Sequence, residues 1–173
     1  MRDDASPQQD PRQSDTIARL HAMEEIRQLK AAYFRLLDTK QFDELGLLLT
    51  EDATSAYQSG ELTQRGRSAI VAFLTESIAD PGIITFHSGH HPEIDVVSPT
   101  TATGIWYLED RVIVPAADFE LHGTALYRDE YRKVDGVWYI SHTGYERIFE
   151  EQRRRSTGEV LRMTSMFDPP APA

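Results

Sequence analysis

Apolar positions recur every three or four residues in the first half of the chain and every two in the second. From about Asp15 to Leu37, residues Ile26, Leu29, Tyr33, Leu36 and Leu37 fall on one stripe, which predicts a long amphipathic helix. Phe42, Leu45, Leu48 and Leu49 predict a shorter helix facing inward, broken at Asp52-Ala53. Thr54 to Gln58 predicts a short strand that turns at Ser59-Gly60. A third helix is expected from an N-cap at Ser68 through Ile70, Phe73, Leu74 and Ile78, stopped by Asp80-Pro81-Gly82.

Beyond Ile83 the period is two. Ala102, Gly104, Trp106, Leu108, Asp110 and Val112 share one face of a long strand, with Thr103, Ile105 and Tyr107 on the other. Another strand is expected over Thr124 to Lys133, joined by an Asp135-Gly136 hairpin to a last strand from Val137 to Ile148. Helices first and antiparallel strands afterwards predict an α+β fold, a cone of helices packed on a strongly curved, mixed, mainly antiparallel sheet. The apolar mouth of such a cone suits a small molecule.

The domain is expected over residues 15–150. The polar residues 1–14, with Pro7 and Pro11, read as a disordered tail, and 151–173 as a C-terminal extension. Phe167 to Ala173 is not expected to hold a regular element, and Arg153-Arg154-Arg155 reads as a solvated helix face.

A formal charge of −10 over 173 residues argues against nucleic acid or an anionic membrane surface as partner. The absence of cysteine excludes thiol chemistry, disulfides and cysteine metal sites. No stretch behind Met1 forms a secretory signal and no run reaches the ~20 apolar residues of a membrane span, so a cytoplasmic protein is expected.

Five residues on separate elements have the chemistry of an acid–base site: Tyr33, Asp38, His87, Asp110 and Arg147. A histidine side chain ordinarily titrates near neutrality, and His87 is the expected base or acid. Asp110, on the face of Trp106, is the expected orienter of its ring, unless it ends the strand in a salt bridge with Arg111. Tyr33 lies on the apolar stripe, where its hydroxyl needs a partner that a substrate carbonyl would supply. Asp38 stands three residues before Gln41, a capping-box spacing compatible with a site role. Arg147, on the face of Tyr145, is expected to pair with Asp38 or another carboxylate, or to hold an anionic group of the substrate. Trp106 and Tyr145 are the expected aromatic wall. A metal at His87, His90 and His91 is not expected, because His87 and His91 would stand ~13 Å apart on a strand with His90 pointing away. With no phosphate-binding loop either, the chemistry is expected to need no cofactor.

Longer motifs then come into view. Tyr33-Phe34-Arg35-Leu36-Leu37-Asp38 with Asp43-Glu44-Leu45 resembles the start of a SnoaL-like domain of the NTF2-like superfamily, which includes scytalone dehydratases, ketosteroid isomerases and polyketide cyclases. Within that group the resemblance is strongest to the bile acid 7α-dehydratases. It runs through His87-x-Gly89-His90-x-Pro92-Glu93-Ile94, Thr101-Ala102-Thr103-Gly104-x-Trp106-Tyr107-Leu108-Glu109-Asp110-Arg111, Asp135-Gly136-x-Trp138-Tyr139-Ile140 and Gly144-Tyr145-x-Arg147-Ile148. The resemblance covers roughly Ile17 to Glu151, and the family's site residues fall on the same five positions, all unchanged in type. It implies a hydro-lyase acting on a steroid- or bile-acid-like hydroxy-ketone, as free acid or coenzyme A thioester. An isomerase or hydratase on a similar substrate, or a non-catalytic ligand-binding cone, would use the same scaffold. It also implies a homo-oligomer, a trimer as in the dehydratases or a dimer as in other relatives, with Leu126 and Ile140 on the outward sheet face.

Overall fold

In the computed structural model, which describes residues 11–165 together with 167 and 168, three helices lie against one curved seven-stranded sheet. The helices are α1 (Pro11–Asp38), α2 (Phe42–Gly46) and α3 (Arg67–Ile78). The strands are β1 (Leu49–Tyr57), β2 (Leu62–Arg65), β3 (Ile84–Ser98), β4 (Thr101–Val114), β5 (Phe119–Val134), β6 (Val137–Arg154) and β7 (Val160–Ser165). The main path runs β2-β1-β6-β5-β4-β3, and β7 pairs with β6. Every pairing is antiparallel except β1 with β6, so the sheet is mixed and mainly antiparallel, as expected.

α1 begins at Pro11, earlier than the sequence pattern suggests, since proline suits a first helical turn. Residues 11–14 are thus helical rather than a disordered tail, and the remainder of that expected tail lies outside the described residues. The buried face of α1 runs through Ala22, Ile26, Lys30, Tyr33, Phe34, Leu36 and Leu37. Lys30 sits in the four-residue series with Ala22 and Ile26, fully buried, and its ammonium lies 2.7 Å from Asp129 Oδ2 on β5. Rings of Tyr127, Tyr33 and Phe34 surround that ammonium, the nearest centroid at 3.7 Å. Burial lowers the Lys30 pKa even though Asp129 raises it.

α2 is shorter than its apolar spacing suggests, because Leu49 belongs to β1, whose pairing with β6 begins at Leu49 opposite Ile140. Ser68 is not the N-cap of α3. Gly66 holds that place, and Ser68 falls within the first turn. Asp135 and Gly136 both have positive φ, the backbone of the two-residue turn that the sequence signals. β6 continues through Arg154, so the triple-arginine run starts on a strand and ends in a turn, not on a helix. β7, within the expected extension, adds to the sheet edge. Ile140 is fully buried and therefore not on the outward face, whereas Leu126 is half-buried there. None of the described helices is long and apolar enough to cross a membrane.

Candidate active site

The site begins with how α1 ends. Lys40 adopts positive φ, Lys40 N–H donates to the Leu37 carbonyl and Gln41 N–H to the Leu36 carbonyl. This is a Schellman stop, made with lysine where glycine is usual. The Lys40 ammonium in turn donates to the Ile78 carbonyl at the end of α3, which ties the two helix ends together. Asp38, the last residue of α1, is thereby aimed at β3.

Its carboxylate does not cap α2, whose N-cap Gln41 has no side-chain capping bond. Instead it meets His87. The His87 backbone N–H donates to Oδ2 at 2.8 Å, His87 Nδ1 lies 2.6 Å from Oδ1, and the Thr85 hydroxyl donates to Oδ1 at 2.9 Å. The orienting carboxylate of His87 is therefore Asp38 and not Asp110. Oδ1 accepts the Nδ1 proton, which leaves Nε2 as the basic nitrogen. Among the described residues, nothing takes a hydrogen bond with Nε2. Phe34 lies nearly parallel to the imidazole, with centroids 6.5 Å apart. That packing needs Gly89, because a Cβ there would stand 2.2 Å from the Phe34 ring.

Burial alone would raise the Asp38 pKa, but the hydrogen bonds and charge of His87 and the Thr85 hydroxyl outweigh it and hold the carboxyl below its ordinary value. Lowering the folded-state pKa contributes stability that is present above the unfolded value of about 3.9 and is lost as pH falls through the folded value. The stability gap between the native chain and Asp38→Asn should therefore be widest near neutral pH and shrink below about pH 4. Urea unfolding of both proteins across that range measures it, and a gap independent of pH would contradict the assignment.

Asp110 is the cross-strand partner of His87 in the β3–β4 register, so both face the interior, but its carboxylate turns to β6. Arg147 Nη1 and Nη2 donate to Oδ1 and Oδ2 at 2.5 and 2.8 Å. This is the expected pairing of Arg147 with a carboxylate; the alternative salt bridge of Asp110 with Arg111 does not form, since Arg111 pairs with Glu120. Gly123 on β5 lies between the two strands, and a Cβ there would fall 2.7 Å from Arg147 Nη1 and 3.2 Å from Asp110 Oδ1. Burial lowers the Arg147 pKa, but Asp110, with Tyr145 and Glu150 after it, outweighs that and raises it, so the guanidinium stays charged.

Tyr33 is fully buried, with its hydroxyl 3.0 Å from that of Tyr57. Burial first, and the neighbouring tyrosines second, raise its pKa well above the ordinary value, so both hydroxyls keep their protons. The hydrogen bond between them uses one of the two hydroxyl protons. Tyr145 stacks beside this pair, 5.6 Å from Tyr57 and 4.8 Å from the Arg147 guanidinium. Trp106 is not part of this wall. Its indole N–H donates to Tyr131, whose hydroxyl donates to Asp129, so it belongs to the buried Lys30 network.

The structure therefore brings together Asp38 with His87, Asp110 with Arg147, and Tyr33 with Tyr57, which Tyr145 adjoins, and leaves Trp106 in the Lys30 network. Sequence reasoning missed Tyr57, Gln58 and Glu150. The His87 and Arg147 side chains are largely buried, 12 % and 14 % exposed. His90 and His91 do not alternate across the strand. Positive φ at His91 turns their rings together, with the Nδ1 atoms 2.7 Å apart and the His90 ring stacked on Tyr107.

Residues 18–144 match the family model of the SnoaL-like domain. Among solved structures, a candidate scytalone dehydratase from Novosphingobium aromaticivorans is 22 % identical, with a TM-score of 0.68 over 91 % of this chain and 99 % of that one. A hexachlorocyclohexane dehydrochlorinase of type 3 from Novosphingobium barchaimii is 21 % identical, with a TM-score of 0.66 over 90 % of this chain and 99 % of that one. An NTF2-like protein with a cystatin-like fold from N. aromaticivorans is 23 % identical, with a TM-score of 0.66 over 82 % and 92 %. At these identities the likeness is one of fold.

Proposed function

The chain belongs to the SnoaL-like family, and on that premise we propose that it is a cofactor-independent hydro-lyase removing water from a steroid- or bile-acid-like hydroxy-ketone. The observation that carries this reading is the Asp38–His87 pair. A carboxylate fixes one ring nitrogen, and the other is unpartnered among the described residues, on a largely buried wall beside a second, separate ion pair. That arrangement makes His87 a base and stabilises the imidazolium it becomes.

In the proposed reaction, His87 Nε2 takes the proton that the carbonyl acidifies on the carbon beside the one bearing the hydroxyl, which in a conjugated 3-oxo-4-ene is the vinylogous γ carbon. The electron pair moves onto the carbonyl oxygen as an enolate, which accepts the spare hydroxyl proton of the Tyr33–Tyr57 pair as a hydrogen bond. The enolate then collapses, the carbon–carbon double bond forms and the carbon–hydroxyl bond breaks. The imidazolium returns its proton to the leaving oxygen, and one water departs. No oxidant or added group enters the balance. Asp110, Arg147 and Tyr145 supply the polar and aromatic wall against which the substrate is held.

Two observations support an elimination: the unpartnered base, and relatives in fold named as a dehydratase and a dehydrochlorinase. The polycyclic substrate rests on the motif resemblance around His87, Asp110 and Arg147. The test is mass spectrometry of the purified protein incubated with a 7α-hydroxy-3-oxo-4-ene bile acid and with its coenzyme A thioester. Loss of one water from either is the expected result. No loss from both would overturn the bile-acid substrate, and a conjugated product of unchanged mass from a 3-oxo-5-ene steroid would assign an isomerase instead.

A further inference from the structure

We propose that Glu150 determines the charge of the ligand: it occupies the edge of Arg147 that Asp110 leaves free, and so restricts this wall to groups that carry no negative charge. This deepens the hydro-lyase reading, on which it rests, by naming the charge of the substrate end that meets the wall.

A guanidinium offers five N–H groups in a fixed fork. Asp110 takes the Nη1–Nη2 edge. On the other edge, Glu150 Oε2 lies 3.2 Å from Nε, and Gln58 Oε1 accepts from Nε at 3.4 Å. Tyr145 covers one face, with its ring centroid 4.8 Å from Cζ. Glu150 is itself held in place. Gln152 Nε2 donates to Oε1 at 3.0 Å and Gln58 Nε2 to Oε2 at 3.4 Å, and the glutamate side chain is only 12 % exposed.

The placement has a backbone cause. Residues three apart on a strand face opposite sides, so Arg147 and Glu150 would ordinarily be separated by the sheet. A register shift between Thr124 and Ala125 pairs Thr124 with Phe149 but Ala125 with Arg147, which leaves Ile148 as an extra residue. The bulge returns both charged residues to the inner face, where Glu150 follows Gly123 and Asp110 across the sheet.

The result is a wall in which two carboxylates, Asp110 and Glu150, bracket one guanidinium. An arginine in a ligand site commonly clamps a carboxylate or phosphate in bidentate fashion. Here both edges that could do so are taken by the protein's own carboxylates. A further anion would meet an excess of negative charge at low exposure, where screening is weak. A hydroxyl or carbonyl meets no such opposition. A substrate that carries a carboxylate or a phosphate therefore keeps it away from this wall and presents its neutral ring end.

The test titrates sodium acetate against sodium chloride at constant ionic strength, in full-length protein and in Glu150→Gln. It follows the Arg147 Nε–H and His87 ring resonances by NMR. The native protein is expected to show no saturable shift. Glu150→Gln, which keeps the amide hydrogen bonds and removes the charge, is expected to bind acetate at least about tenfold more tightly. A saturable shift in the native protein overturns the proposal whatever the variant does. So does a folded Glu150→Gln, or Glu150→Ala as a second variant, that binds no better than the native chain. Because acetate replaces the substrate, this experiment can fail while the dehydration assay succeeds, and the reverse.

Discussion

His87→Ala is expected to lower turnover by about 10²–10⁴-fold, the range that a positioned acid–base residue contributes. The same side chain acts twice in the proposed reaction, first as base and then as acid, so neither half survives its loss. The fold should survive. Thr85 still donates to Asp38, the backbone N–H of residue 87 still reaches Oδ2, and the Schellman stop of α1 does not involve the ring. The expected pattern is a collapse in kcat with native circular dichroism and a cooperative unfolding transition, its midpoint lowered only by the loss of the Asp38–His87 ring bond. Water loss at the native rate from a folded His87→Ala protein would remove His87 from the chemistry.

The second large effect is on stability. Lys30→Met should cost about 3–5 kcal/mol, because it leaves Asp129 as a buried charge without its cation. Asp129 Oδ2 would retain only the Tyr131 hydroxyl, and Oδ1 accepts no hydrogen bond among the described residues. For a chain of this size that is a fall in Tm of roughly 6–20 °C. The pair is nonetheless costly to bury, as the lowered Lys30 pKa indicates. Adding Asp129→Leu to Lys30→Met should therefore recover most of the loss. Urea unfolding of the native, single and double variants gives the coupling directly. A single variant as stable as the native chain would show that Asp129 does not depend on Lys30.

Both experiments bear on what the sequence discloses. The apolar stripe of α1, the alternation along β4 and the Asp135-Gly136 turn are local signals, and the structure follows them. The partner of His87 is not a local matter. Asp110 stands opposite it in register and Asp38 lies at a helix end, and both could reach it; which one does depends on the backbone turn at Lys40. Trp106 shares a face with Asp110, but a face does not say which layer a side chain belongs to, and its indole was drawn to Tyr131. Lys30 was legible in principle, since a lysine in series with Ala22 and Ile26 must be buried and hence paired. Glu150 was not, because strand parity places it away from Arg147 and only a bulge on β6 reverses that. β2 and the parallel contact of β1 with β6 arise from pairing distant in sequence, which periodicity does not encode.

Phe34 in the notch above Gly89, with Lys30 and Tyr33 before it and Asp38 after it, gives α1 a consequence for how this chain can change over time. One residue gained or lost between Phe34 and Asp38 would turn the carboxylate by about 100° around the helix axis while the buried lysine stayed in place. Strand residues facing the ligand can be exchanged one at a time, and loops can lengthen. This stretch of helix has to keep its phase, so descendants that take new substrates should vary in composition around it and not in its length.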